Sequence, residues 1–218
     1  MRRPWTVALT GGIASGKTTL AALLAGHRIP VVDSDQISRE ITLPNEPGDR
    51  RLRANLEREF FDADGRLDRR RLRLAMTEDP GLRRCVETLL HPLIWERLES
   101  EIASYPAADW LLCVIPLLTE IEPPPSLTLD RVLVVDCREG LQVGRLMVRD
   151  QMERAEAERL LALQSGRETR LRRADDLVVN ESGLGELAES ARELVDTYTQ
   201  RARNRPLEPS DADAGPPD

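Results

Sequence analysis

Five short apolar runs punctuate the chain: WTVALT (5–10), IPVVD (29–33), WLLCVIP (110–116), RVLVVD (131–136) and DLVVN (176–180). None alternates apolar with polar residues, so each predicts a strand covered on both faces. Between them apolar positions recur at helical spacing, as in KTTLAALLA (17–25) and LGELAESARELVDTYTQRA (184–202). Strands alternating with helices predict an α/β fold, a five-stranded parallel sheet flanked by helices.

The segment from about Ser34 to Tyr105 departs from that rhythm. It has no strand-like run and many arginines, in DRRLRANLEREF (49–60), DRRRLRLAM (68–76) and ETLLHPLIWERLESEI (87–102). It reads as a mostly helical insertion between the second and third strands. Within it RLDRRRLR (66–73) is either a grip for phosphates or a solvated amphipathic helix with Leu67, Leu72 and Leu74 partly inward.

Composition narrows the class without changing this picture. The chain has 218 residues, 40% hydrophobic and 32% charged, as expected of a soluble globular protein. No apolar run approaches the roughly 20 residues needed to cross a bilayer. The opening MRRPW leads into a strand and a glycine loop rather than the apolar region of a signal peptide. A net charge of −7 argues against a nucleic-acid partner. The tail PLEPSDADAGPPD (206–218), with four acids and no bases, predicts disorder. Cys85, Cys113 and Cys137 form no C-x-x-C pair, and the last two lie in apolar runs, which suggests buried thiols in a reducing cytoplasm.

The candidate chemistry begins right after the first strand, in LTGGIASGKTTL (9–20). Gly11, four residues on to Gly16, then Lys17 and Thr18 match the phosphate loop G-x-x-x-x-G-K-[ST]. Glycines let successive N–H groups turn toward phosphate oxygens, and the following helix presents its positive end to the same anions. Lys17 can reach the β- and γ-phosphates of ATP, and the Thr18 hydroxyl can ligate Mg²⁺. The guanine-reading pattern N-K-x-D is absent, and DADG (62–65), which fits D-x-x-G by spacing, falls in the insertion rather than after a strand. These features favour a small-molecule kinase over a switch.

The second strand ends in VVDSDQISRE (31–40). A carboxylate there, at the edge where such sheets bind ligands, can take the proton of an attacking hydroxyl, and Asp33 is the candidate base. The alternative is that one of the two aspartates caps the next helix, which Asp35 or Ser34 could do well, and this leaves Asp35 divided between capping, metal and substrate roles. His91, in LLHPLIW (89–95), sits where Pro92 should break or kink a helix; a structural or substrate contact suits it better than acid–base work. His27 reads as loop surface.

Several stretches together resemble the dephospho-coenzyme A kinase family: ALTGGIASGKTT (8–19), VVDSDQISRE (31–40), HPLIWERL (91–98), VIPLLTE (114–120), VVDCREGLQVGRLMVRD (134–150) and RLLALQSGRETRLRRADDLVVNESG (159–183). The resemblance implies transfer of phosphate from ATP to the ribose 3′-hydroxyl of dephospho-CoA, the last step of coenzyme A synthesis. It implies three parts: a P-loop kinase core (1–33 and 106–205), a helical CoA-binding insertion (34–105) and a helical lid (139–165). It assigns Gly11, Gly12, Ile13, Ala14, Ser15, Gly16, Lys17, Thr18, Thr19 and Asn180 to the nucleotide. It assigns Asp33, Asp35, His91, Pro116 and Leu117 to the acceptor, with insertion arginines on its diphosphate. The protein is then a cytoplasmic monomer using ATP and Mg²⁺, with a small-molecule partner and neither nucleic acid nor membrane.

On the implied lid, Leu141, Arg145 and Arg149 are spaced by four and share a helical face. Two guanidiniums there can offset charge on the transferring phosphoryl group, Arg149 ahead of Arg145; the alternative is surface pairing with Asp150 or Glu153. Three positions depart from the family pattern. Ala14 replaces a glycine, harmless at negative φ. Thr119 replaces a phenylalanine, and NESG (180–183) reorders the segment after the last strand.

Overall fold

The computed structural model of the protein describes residues 3–205, so the expectation for the tail at 206–218 lies outside the described residues. All five apolar runs form strands: β1 (Trp5–Gly11), β2 (Val31–Asp33), β3 (Trp110–Val114), β4 (Arg131–Asp136) and β5 (Asp176–Val179). They make one parallel sheet in the order β2-β3-β1-β4-β5. β2 and β3 are shorter than their runs at the ends that hold Pro30 and Pro116, residues with no N–H to give to a ladder.

β1 and β3 are buried along their whole length, as expected of central strands. β5 is not. Val178 points inward while Leu177 and Val179 are 47% and 55% exposed, because β5 is an edge strand with one face uncovered.

The pleat sorts β1 and β3 between two cores. Trp5, Val7 and Leu9 join Leu112 and Val114 under α1 (Lys17–Gly26) and α9 (Leu184–Arg203), which supply Leu20, Leu24, Leu187 and Tyr198. Ala8, Leu111 and Cys113 face the other way. They pack with α2 (Ser34–Ile41), α3 (Pro47–Asn55), α4 (Arg69–Glu78) and α5 (Pro80–Ala103), through Ile37, Leu52, Leu72 and Leu98. The helices of the arginine-rich segment thus share a core with the sheet.

Two local expectations for that segment need correction. α5 continues unbroken through Pro92, because Val86 and Leu90 before it and Leu98 and Ile102 after it are anchored in the same core. In α4 only Leu72 is buried; Leu74 is 57% exposed, since residues two apart on a helix point to nearly opposite sides. DADG forms a turn between the bridged residues Phe61 and Leu67, away from any sheet strand.

After β4 come α6 (Glu139–Asp150), α7 (Arg154–Ala162) and the short α8 (Arg167–Arg172). Val143, Leu146 and Ala157 form a small third core with Ile13 and Ala14 packed against it. Cys113 and Cys137 are buried, and Cys85 and His27 are exposed. No described helix is long and apolar enough to cross a membrane.

Candidate active site

The carboxyl ends of β1, β2 and β3 open into a cavity of about 940 Å³. Leu9 pairs in register with Val114, and Val114 with Asp33. Asp33 is therefore level with Leu9, two residues before Gly11, and two strand spacings, about 10 Å, to one side of β1. That gap suits a phosphoryl group and an attacking hydroxyl. Ile13, Ala14, Gly16, Lys17, Thr18 and Thr19 line the cavity on one side, Asp33, Asp35, Pro116 and Leu117 on the other, with Arg145, Arg149 and Asn180 also on its wall. Gly11, Gly12 and Ser15 lie buried beneath it. His91 does not line it; it sits on α5 beside Trp95, its rings 6.4 Å apart, with its pKa lowered by burial.

The loop is held in one shape by its surroundings. Gly16 has φ 108°, and a Cβ there would collide with the Asn180 amide, which donates to the Ser15 carbonyl at 2.7 Å. Asn180 also passes its own carbonyl to Arg145. Ala14 has φ 56°, so the condition under which its replacement of glycine would be harmless is not met. A side chain in the left-handed region costs roughly 1 kcal/mol, so neighbouring bonds must hold it. They do: Arg145 donates to the Ala14 and Ser15 carbonyls at 3.3 and 3.2 Å, while Gln142 and Gln164 grip Ile13 next door.

Lys17 opens α1 and donates its Nζ to the carbonyls of Gly11 and Gly12, both at 2.8 Å. Burial lowers its pKa to about 8, partly offset by Asp35 and Glu120. Asp33, at the end of β2, caps α2: its Oδ1 accepts from the N–H of Asp35 at 2.8 Å and of Gln36 at 3.4 Å. The cap is thus Asp33 itself, not Asp35 or Ser34. One carboxylate oxygen is fixed by the helix end, and among the described residues no side chain donates to the other. The Asp35 side chain reaches solvent, yet protein surrounds much of its carboxyl. That desolvation, and then the neighbouring Asp33, push its pKa up.

The two α6 arginines differ. Arg145 is locked onto the loop and the Cys137 thiol. Arg149 is exposed and donates twice to Asp150, at 2.8 and 2.6 Å, the pairing that the sequence offered as its alternative.

The comparisons with known proteins decide the lineage. The dephospho-CoA kinase family model matches residues 5–186. The chain belongs to the dephospho-CoA kinase family.

A dephospho-CoA kinase of Thiobacillus denitrificans is 38% identical over 201 residues, covering 92% of this chain and 98% of that one. A solved Thermus thermophilus structure is 30% identical, with a TM-score of 0.75, covering 90% of this chain and 98% of that one. The dephospho-CoA kinase of Campylobacter jejuni, at 19% identity and a TM-score of 0.65, shares the fold over 90% of this chain and 98% of its own.

The departures from the family pattern find local explanations. Thr119 donates its hydroxyl to Glu120 at 2.8 Å, and Glu120 accepts the Ser165 N–H at 2.8 Å. Burial alone would raise the Glu120 pKa; the hydrogen bonds of Ser165 and Thr119 overcome it and hold it low. In NESG, Glu181 turns away to pair with Arg138 at 2.7 Å, leaving Gly183 and Leu184 on the cavity wall.

Arg73, from the RLDRRRLR stretch read as a possible phosphate grip, is on the cavity wall, and three residues that the sequence did not single out also shape the site: Arg170 beside Gly12, and Gln142 and Gln164 on Ile13. For Gln142 a signal existed. It lies three residues before Arg145, on the side of α6 that meets the loop. Arg170 and Gln164 become neighbours of the loop only through the fold.

The lowered Lys17 pKa has a measurable consequence. With the folded-state pKa below the unfolded one, charged Lys17 costs stability below pH 8, and the ligand-free protein should gain stability as pH climbs from about 8 toward 10.5. Phosphates favour the ammonium, so a nucleotide seated here takes up a proton at high pH. ATP affinity should therefore fall above pH 8, by up to about tenfold per unit, as read by calorimetry across pH 7 to 9.5. A flat profile would contradict this placement of Lys17.

Proposed function

We propose that this chain transfers the γ-phosphoryl group of ATP to the ribose 3′-hydroxyl of dephospho-CoA, completing coenzyme A in the cytoplasm. One observation carries the reading: Asp33, steadied by its capping oxygen, faces the same cavity as Lys17 across a gap wide enough for the reacting groups. The γ-phosphate sits over the loop. The free Asp33 oxygen orients the 3′-hydroxyl or takes its proton, and the hydroxyl attacks in line. Lys17 leaves the Gly11 and Gly12 carbonyls for the phosphate oxygens.

Thr18 is the residue that would hold magnesium. Among the described residues no three His, Cys, Asp or Glu side chains gather to hold a metal ion. Thr18 is exposed and lines the same cavity as Asp33 and Asp35, an oxygen donor set that suits a hard cation completed by substrate phosphates and water. Such an ion neutralises phosphate charge when bound.

The acceptor lies between the sheet edge and the arginine-rich helices. A second cavity of about 190 Å³ adjoins Asp35 and is lined by Arg39, Arg69 and Arg73 together with Leu72, Met76 and Leu90. Neither Arg39 nor Arg73 forms an ion pair among the described residues, which leaves both for a diphosphate, while the apolar residues suit a pantetheine arm. Pro116 and Leu117 border the sugar. His91, off the cavity wall, is a structural residue in this reading. The helices α6 and α7 act as the lid, excluding water that would compete with the sugar hydroxyl.

ATP consumption compared side by side with dephospho-CoA, adenosine, AMP and no acceptor tests the assignment. Only dephospho-CoA should raise it well above the acceptor-free rate. In the lid, Arg149→Ala should lower kcat by about 10- to 100-fold while ATP affinity changes less than about threefold. A pure rise in the ATP KM would show that Arg149 only binds nucleotide.

A further inference from the structure

Ile13 stands at the crest of the phosphate loop, and both of its backbone polar groups are taken by side chains. Its N–H donates to Gln164 Oε1 at 2.8 Å, and its carbonyl accepts from Gln142 Nε2 at 2.7 Å. Gln142 comes from α6 and Gln164 from the connection after α7, so the helical pair reaches the loop from both of its ends. Gln142 is 2% exposed, and its Oε1, although buried, has no partner. A buried amide left half-satisfied costs stability, which marks the retained bond to Ile13 as the reason for its presence. The next residue is Ala14, at its left-handed angle.

We infer that Gln142 and Gln164 are positioning residues for ATP: they clasp Ile13 through the two peptides that flank it, so that the phosphate loop keeps its nucleotide-ready shape and moves together with α6 and α7. The Ile13 N–H is spent on Gln164, so the donors left for phosphate are those from Ala14 onward and the start of α1. The clasp places the α6 arginines relative to those donors. It rests on the reading that the nucleotide's phosphates occupy the Gly11–Thr18 loop.

Gln142→Met and Gln164→Met keep side-chain length and remove the hydrogen bonds. In the ligand-free protein, NMR-detected amide exchange at Ile13 should quicken about tenfold in Gln164→Met, the scale of one lost hydrogen bond, and by less in Gln142→Met, where the N–H keeps its acceptor. The ATP dissociation constant should rise about tenfold in each, and the double variant should add less than about threefold, because both residues hold the same residue, Ile13. The acceptor KM and the melting temperature should barely move, which a merely structural role would not predict. Unchanged exchange at Ile13, unchanged ATP affinity, or fully additive effects would each overturn the clasp. ATP should also slow exchange across residues 11–18 of the wild type. If it does not, the nucleotide placement fails and the functional half of the inference with it, while exchange in the ligand-free variants still decides whether the glutamines hold Ile13.

Discussion

Asp33→Asn is expected to lower kcat by about 10²-fold or more while ATP affinity stays within about threefold of wild type. The substitution is clean because asparagine keeps an oxygen at the Oδ1 position. The N–H groups of Asp35 and Gln36 keep their acceptor, and the start of α2 should remain intact. Only the second oxygen changes, from a carboxylate acceptor to an amide that cannot take a proton. Asp33→Ala removes both functions and should also destabilise the fold by about 1 kcal/mol through the lost cap. Single-turnover kinetics with dephospho-CoA, beside thermal unfolding of both variants, separates the two effects. Turnover of Asp33→Asn near that of wild type would remove Asp33 as the base.

Lys17→Met should lower turnover by about 10²- to 10³-fold, the usual scale for losing a charged donor aimed at developing negative charge. The same change should leave the melting temperature of the ligand-free protein equal or slightly higher. In the empty site the ammonium is desolvated, as its pKa of about 8 records, and its two hydrogen bonds to Gly11 and Gly12 only partly compensate. A residue that costs stability and is kept for chemistry is the pattern expected at an active site. The variant should also lose the fall in ATP affinity above pH 8. Rapid-quench turnover, unfolding scans and calorimetry check the three outcomes. A large drop in stability would instead make Lys17 a structural residue.

Much of this was legible in the chain because it is governed by local rules. Strands buried on both faces announce themselves as unbroken apolar runs, and all five were placed. The glycine loop has a fixed spacing because backbone curvature and a helix start must coincide. What escaped depends on neighbours. The exposure of Leu177 and Val179 follows from β5 lying at the sheet edge, and strand order is not written in a strand's own residues. Pro92 looked like a break, but packing on both sides of it carries α5 through. Ala14 looked safe only at negative φ; bonds from Arg145, and from Gln142 and Gln164 beside it, hold it at the opposite sign. The sequence set capping against chemistry as alternatives for the two aspartates and favoured Asp35 or Ser34 for the α2 cap; Asp33 does the capping with one oxygen and leaves the other for chemistry.

A crystal structure with dephospho-CoA and a non-hydrolysable ATP analogue tests the central geometry most directly. The account predicts the free oxygen of Asp33 within about 3 Å of the ribose 3′-oxygen, with that oxygen in line with the γ-phosphorus above Lys17. An Asp33 carboxylate turned away from the sugar, or a 3′-hydroxyl bound outside the cavity between β1 and β2, would contradict it.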